Sequence, residues 1–273
     1  MRIMKAVYPT PNEALLFNFI HHSNALEHIN VPIDDIVQTK NRTGFNPAAA
    51  GHFKALAYIF RDLLTNDRWP CNHVVEFENP AKSHTNLYWL REIHKRLMEP
   101  FTGDPAEAGV KPMPKGALTD AVARGTTTVN RTLDRSSGMN INDCGNYRLT
   151  PHVVGGYRQM PSPILIQPLL HKWFAKLGTF HLSVRDKVAH PDTNTLAQCV
   201  QMADYLALQI QTIHPFVDGS ARVSRLVENA LRLRWGIPWK ITLKDDAISY
   251  VQKIMKYEDG PEWRSTLAMI KSQ

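Results

Sequence analysis

Long apolar runs are missing from this chain. No stretch of about 18 uncharged apolar residues occurs, so no transmembrane helix is expected, and the first twenty residues hold no run long enough for a signal h-region. A cytoplasmic protein with no membrane partner is the expectation, and an effector secreted without such a signal stays compatible with it. Cysteine is scarce as well. Cys71, Cys144 and Cys199 are far apart, odd in number and without metal-ligand spacing, which excludes a disulfide framework and a zinc ribbon. Charge is unbalanced but not clustered: the net charge is +7, yet no block of five or six basic residues and no zinc-finger or basic-zipper pattern occurs. Nucleic acid is therefore not expected as the main partner, while an acidic protein or a polyphosphate ligand would suit the charge. No internal repeat is present. With 273 residues, 43% of them hydrophobic, the chain can bury one substantial core, or one core and a small N-terminal extension.

The apolar period that is present is helical. Thr10 and Glu13 have capping-box spacing with Pro11 between them, which predicts a helix over 10–29 carrying Leu16, Phe19, Ser23, Leu26 and Glu27 on one face. A second helix is predicted from Asn46-Pro47, with Phe53, Leu56, Phe60 and Leu64 inward, and a third over 85–98 with Leu87, Leu90, His94 and Leu97 along one side. From Phe101 to Asn146 the composition turns to Gly, Pro, Thr, Ser and Asn, the mark of a long loop or insertion. Val153-Val154 followed by Gly155-Gly156 predicts a short hairpin or flap within 147–160. Ser162-Pro163 opens another helix, with Gly178 as its stop. The clearest stripe is Leu196, Val200, Ala203, Ala207, Ile210 and His214; Pro215 breaks it, and a new helix follows from about Ala221 to Gly236. The fold class is mostly α with one small hairpin. The organisation read from these shifts is a helical region over 1–100, a loop or insertion over 101–146, a core with the flap over 147–240 and a helical segment over 241–273.

The corner between the last two predicted helices carries the chemistry. His214-Pro-Phe-Val-Asp-Gly-Ser-Ala-Arg-Val-Ser-Arg225 brings together an imidazole, a carboxylate, a glycine and two arginines. Taken singly, each has an ordinary reading, a hydrogen-bonded core histidine or a solvated arginine. Together they suit a phosphoanhydride. Backbone N–H groups from Gly219 through Ser220 and Ala221 to Arg222 can cradle phosphate oxygens at a helix start, and Arg222 and Arg225 lie one turn apart. Asp218 offers a hard oxygen to magnesium, and His214 can take a proton from a hydroxyl near neutral pH.

This segment resembles the signature HPF-x-[DE]-G-N-G-R-x-x-R of the Fic family at its His, Pro, Phe, Asp, Gly and both Arg positions. "GNYRLTPHVVGGYRQMPSP" (Gly145 to Pro163) is similar to that family's flap, and "SNALEHI" (Ser23 to Ile29) to its inhibitory motif [ST]-x-x-x-E-[GN]. The resemblance implies a Fic-type helical core with a hairpin flap, and AMP transfer from ATP with Mg²⁺ to a Ser, Thr or Tyr hydroxyl of a target protein. His214 would be the base, Asp218 the metal ligand, and Gly219, Ser220, Ala221 and Arg222 the anion hole, with Arg222 and Arg225 on the outer phosphates. Val154, Gly155 and Tyr157 on the flap, and Tyr250, match nucleotide contacts, while Glu27 and Ser23 match the inhibitory pair, Glu27 competing for Arg225. Transfer of UMP, phosphocholine or phosphate, or a degenerate domain that binds nucleotide or partner without catalysis, are the alternatives, and a homo-oligomer is compatible with the sequence. Two departures stand out. Ser220-Ala221 replaces the family's Asn-Gly, with Ser220 still able to cap the helix, and His28 stands where Gly or Asn follows the inhibitory glutamate.

Overall fold

A computed structural model describes residues 11–65, 88–101, 143–154, 158–188 and 190–271. Among them are nine α-helices: α1 (Glu13–Ala25), α2 (Ile33–Asn41), α3 (Pro47–Tyr58), α4 (Tyr88–Met98), α5 (Ile166–Val184), α6 (Thr193–Ile213), α7 (Ser220–Arg234), α8 (Ala247–Glu258) and α9 (Pro261–Lys271). A π-helical stretch, Ile59–Thr65, prolongs α3. The one sheet among these residues is an antiparallel hairpin, β1 (Val153–Val154) with β2 (Arg158–Gln159), in register Val153↔Gln159 and Val154↔Arg158. The mostly α fold with a small hairpin is thus as expected.

The centre of the molecule is α7, whose residues are buried from Val223 to Leu233 on every face. Val223, Leu226, Val227, Ala230 and Leu231 join a single apolar cluster that runs from Phe19 of α1 to Trp263 of α9. The polar stripe on the same helix, Arg222, Arg225, Glu228 and Arg232, is buried too and has to be neutralised by partners from other elements. α6 packs along α7, α4 and α1 flank it, and α5 and α8 lie against α6. Gly51 lets α3 approach α4 closely: a Cβ there would stand 2.0 Å from the Leu97 carbonyl oxygen. That contact seats α4, which in turn supports the candidate site.

Several boundaries differ from the sequence reading. The first helix is capped by Asn12, whose side chain accepts from Leu15 N–H at 2.9 Å, and Thr10 lies outside the described residues. The helix ends at Ala25, so Glu27 stands in the turn beyond it, where His28 takes a left-handed φ of 59°. A helix turning back over a positive φ favours Gly or Asn, which is the physical sense of the position His28 occupies. α2 has no counterpart in the sequence pattern, because Ile36 is its one buried residue and no apolar stripe forms. The Asn46-Pro47 start holds, with Asn46 Oδ1 accepting from Ala48 and Ala49 N–H at 3.1 and 3.2 Å. Gly178 does not stop α5, which continues six residues to Val184, because tertiary burial outweighs the cost of one helical glycine. Most of 101–146, together with Leu87, Gly155 and Tyr157, lies outside the described residues.

Candidate active site

The corner predicted from sequence is sharply built. Pro215 cannot extend α6, and His214 closes the helix in the left-handed region at φ 48°, ψ 63°. Gly219 has φ 76° and is the N-cap of α7; a Cβ on it would stand 2.8 Å from Met98 Sδ. Both conformation and space therefore require glycine. Ser220 is not the cap: its buried hydroxyl turns back to the Phe216 N–H at 3.1 Å and the Phe216 C=O at 3.3 Å, closing the loop on itself. The first-turn N–H groups of α7 emerge at this corner, where a helix start favours an anion.

Asp218 accepts from Gly219 N–H at 2.5 Å and from Arg222 Nη2 at 3.1 Å. Burial works to raise its pKa, but Arg222, the Gly219 N–H and His94 outweigh it and hold the carboxyl below its ordinary range. Its side chain keeps 45% exposure while the Arg222 guanidinium it pairs with has none. Arg222 points at Met98 and the Phe101 ring, and its buried Nε and Nη1 atoms have no hydrogen-bond partner among the described residues. A divalent cation fits a hard carboxylate of this kind.

His94, read from sequence as core, is the loop's footing. Its Nδ1 accepts from Gly145 N–H at 2.9 Å, which leaves Nε2–H to donate to the Asp218 carbonyl at 2.9 Å, and its ring stacks on Phe216 at 3.8 Å. Arg148 is a second residue the sequence reading passed over. Nearly fully buried, it donates to the carbonyls of His214 at 2.8 Å, Thr150 at 3.0 Å and Pro161, tying both ends of the flap to the base. No periodicity marks a lone arginine that binds carbonyls distant in sequence. Arg158 on β2 pairs through Nε and Nη2 with Glu258 of α8, spanning the space between flap and α8.

His214 is half-buried, and its pKa is lowered to about 3 by burial first, then by His152, Arg158 and Arg148, against Asp218. It is neutral at physiological pH, and burial with its cationic neighbours makes it a weaker base than a free imidazole. Arg225 lies one turn further along the same stripe of α7, against α1. Its Nε donates to Ser23 Oγ at 3.1 Å, and its Nη2 to Ser23 O at 2.7 Å and to Glu27 Oε1 at 2.8 Å. His52 completes this grip: Nδ1 donates to Ala48 O at 2.9 Å, so Nε2, 3.2 Å from Ser23 Oγ, takes the hydroxyl proton and turns the oxygen's lone pairs to Arg225. The Arg225 guanidinium also lies 5.9 Å from the Tyr250 ring centre, and Tyr250 OH accepts from Gln211 Nε2. Of the expected site residues, His214, Asp218, Gly219, Ser220, Ala221, Arg222, Arg225, Tyr250, Ser23 and Glu27 gather about the start of α7; Val154 stands on β1.

No match is found among curated proteins. Among solved structures, the chain is similar to Fic-1 from C. elegans (residues 134–508) at TM-score 0.54 and 17% identity, covering 90% of this chain and 58% of that one. A Fic domain containing signaling protein from Bacteroides thetaiotaomicron gives TM-score 0.52 at 15% identity over 91% and 74% of the two chains. A Fic family protein from Desulfovibrio desulfuricans G20 gives 0.51 at 12% over 88% and 56%. At such identities these likenesses show a shared fold, and the chain spans little more than half of the C. elegans structure. The sequence itself matches the Fic/DOC family over residues 84–231, more than half of its length and inclusive of α4, the flap and the whole corner, so the chain belongs to the Fic/DOC family.

Proposed function

We propose that this Fic-type transferase moves AMP from ATP onto a Ser, Thr or Tyr hydroxyl of a target protein, and that Glu27 restrains it. The observation that carries the reading is one corner holding a neutral imidazole, a half-exposed carboxylate and a helix start, with a nearby guanidinium detained by an acidic residue from the turn after α1. His214 takes the proton of the attacking hydroxyl as its oxygen bonds to the α-phosphorus; the bond from that phosphorus to the bridging oxygen breaks and pyrophosphate leaves. Asp218 would hold Mg²⁺, which neutralises phosphate charge when bound. The N–H groups from Gly219 to Arg222 face the phosphate oxygens, while Arg222 keeps Asp218 ionised and adds charge beneath the loop. Arg225, once released by Glu27, grips the outer phosphate. Val154, Gly155 and Tyr157 of the flap and Tyr250 contact the nucleotide, and the flap edge holds an extended target segment by main-chain hydrogen bonds.

Incubation with labelled ATP and Mg²⁺, beside labelled UTP and CDP-choline, identifies the group that reaches protein. His214→Ala should lower AMP transfer by about 10² to 10⁴ while ATP binding persists. Transfer at the unmodified rate by that variant would remove His214 from the reaction.

A further inference from the structure

Two imidazoles share the catalytic corner. His152 stands one residue before β1, and its ring lies against that of His214, with centroids 5.1 Å apart and planes 15° from parallel. Its main chain is fixed, since its carbonyl accepts from Met160 N–H at 3.0 Å across the base of the hairpin. Arg148 binds the His214 carbonyl and the Thr150 carbonyl, so one guanidinium sets the separation between the segment that leads through His152 into β1 and the helix end that carries the base. His214 sits in a left-handed backbone conformation at the very end of α6, where no following helical turn confines its ring. A flat neighbour supplies that confinement.

Among the described residues, the titratable and charged groups acting on His214 are Arg148 and Arg158 from the flap, Asp218 from its own loop, and His152. The arginines are permanently cationic and Asp218 is held ionised, which leaves His152 as the neighbour whose charge can change. An imidazolium formed on His214 during transfer is stabilised by stacking on a neutral ring and opposed by a cationic one.

We propose that His152 is a positioning residue for the transfer reaction: it is the platform against which the His214 ring is aimed, and a proton on either ring opposes one on the other. This rests on His214 being the base.

The test uses the full chain carrying Glu27→Gly, assayed by AMP incorporation from labelled ATP with Mg²⁺ into itself and into lysate proteins. His152→Ala removes the platform, and His152→Phe keeps a flat ring that cannot be protonated. His152→Ala should lower the rate at saturating ATP about tenfold, with ATP affinity within about twofold, since a misaimed base costs rate rather than ground-state binding. His152→Phe should recover most of that rate, and its acid limb should move to higher pH, because His214 then accepts a proton without a cationic neighbour. An alanine variant as fast as its parent, an alanine and a phenylalanine variant equally slow, or an unmoved acid limb in the phenylalanine variant would each overturn the proposal. His214→Ala in the same background separates the two readings. If it retains transfer, the base assignment fails; if it is inactive while both His152 variants behave like the parent, only the role of His152 fails. Thermal unfolding of each variant separates loss of fold from loss of aim, and the phenylalanine variant decides the matter if alanine unfolds.

Discussion

The two sides of the start of α7 are held in different ways. On the α4 side the parts are interlocked about buried side chains: His94 bridges Gly145 and Asp218, Met98 lies against the position Gly219 leaves open, and Arg222 has a single carboxylate partner within its own loop. On the α1 side the contact is between separate elements, and Arg225 is held by acceptors at two positions, Ser23 and Glu27. One side is construction that the corner cannot lose. The other is an occupation of Arg225 that a competing anion could displace, at the expense of contacts rather than of the fold.

The strongest way to break that contrast is on the α4 side. His94→Ala removes a buried ring stacked on Phe216, the acceptor for Gly145 N–H and the donor to the Asp218 carbonyl. We expect a loss of about 3–5 kcal/mol from the cavity and the unpaired groups, read by urea unfolding, together with loss of transfer. If the variant unfolds like its parent, the α4 side is not the rigid one.

Acid provides a second test that samples both sides. His52, on the α1 side, and His94 have folded pKa values lowered to about 3 and about 4, chiefly by burial, against 6.5 for the free side chain. Between those values the unfolded chain binds the proton and the folded chain does not, so stability falls as pH drops below 6.5 and is retained above it. Each histidine adds up to about 1.4 kcal/mol per pH unit to that slope. Urea unfolding at pH 7.5, 6 and 5 should show the decline, and His52→Gln and His94→Gln should each flatten it. A slope unchanged by both variants would mean that neither ring is buried neutral.

The smallest expected effect is on the α1 side. Glu27→Gly removes one of the acceptors on Arg225 and leaves both Ser23 oxygens in place, so we expect transfer to rise by about tenfold, the scale of one charge-assisted bond, rather than by orders of magnitude. Adding Ser23→Ala should raise it further, with little change in stability. Should Glu27→Gly alone give the full gain, the Ser23 contacts do not restrain Arg225.

What the sequence disclosed follows from locality. His214, Asp218, Gly219 and the arginines sit within twelve consecutive residues, and the hairpin and the Asn46-Pro47 cap are set by adjacent side chains, so chain order alone brought them into view. His94 lies 51 residues from Gly145 and 124 from Asp218, and Arg148 lies 66 from the His214 carbonyl it holds; no local pattern encodes such pairings. His94 even satisfied the apolar period, because a neutral buried imidazole stacks like a core ring. The choice of cap between Thr10 and Asn12 turned on where burial of Phe19 and Ile20 sets the helix, a tertiary matter. Ser220 has the identity of a cap but a hydroxyl claimed by Phe216, and only the folded loop reveals that.

Arg148 has a consequence for how a target is read. Its guanidinium clasps the carbonyls of Thr150 and Pro161 at the feet of the hairpin and that of His214 at the helix end. The edge that would align a peptide and the backbone of the residue that would take its proton are thus tied together by one guanidinium. If the flap pairs with a target as proposed, a segment pairing out of register would be carried past the base instead of drawing the base after it. A strand presents successive side chains to opposite faces, so a slip of one residue turns the hydroxyl away altogether. Discrimination of this sort comes from backbone spacing, and it would hold for targets that have no side chain in common beyond the acceptor.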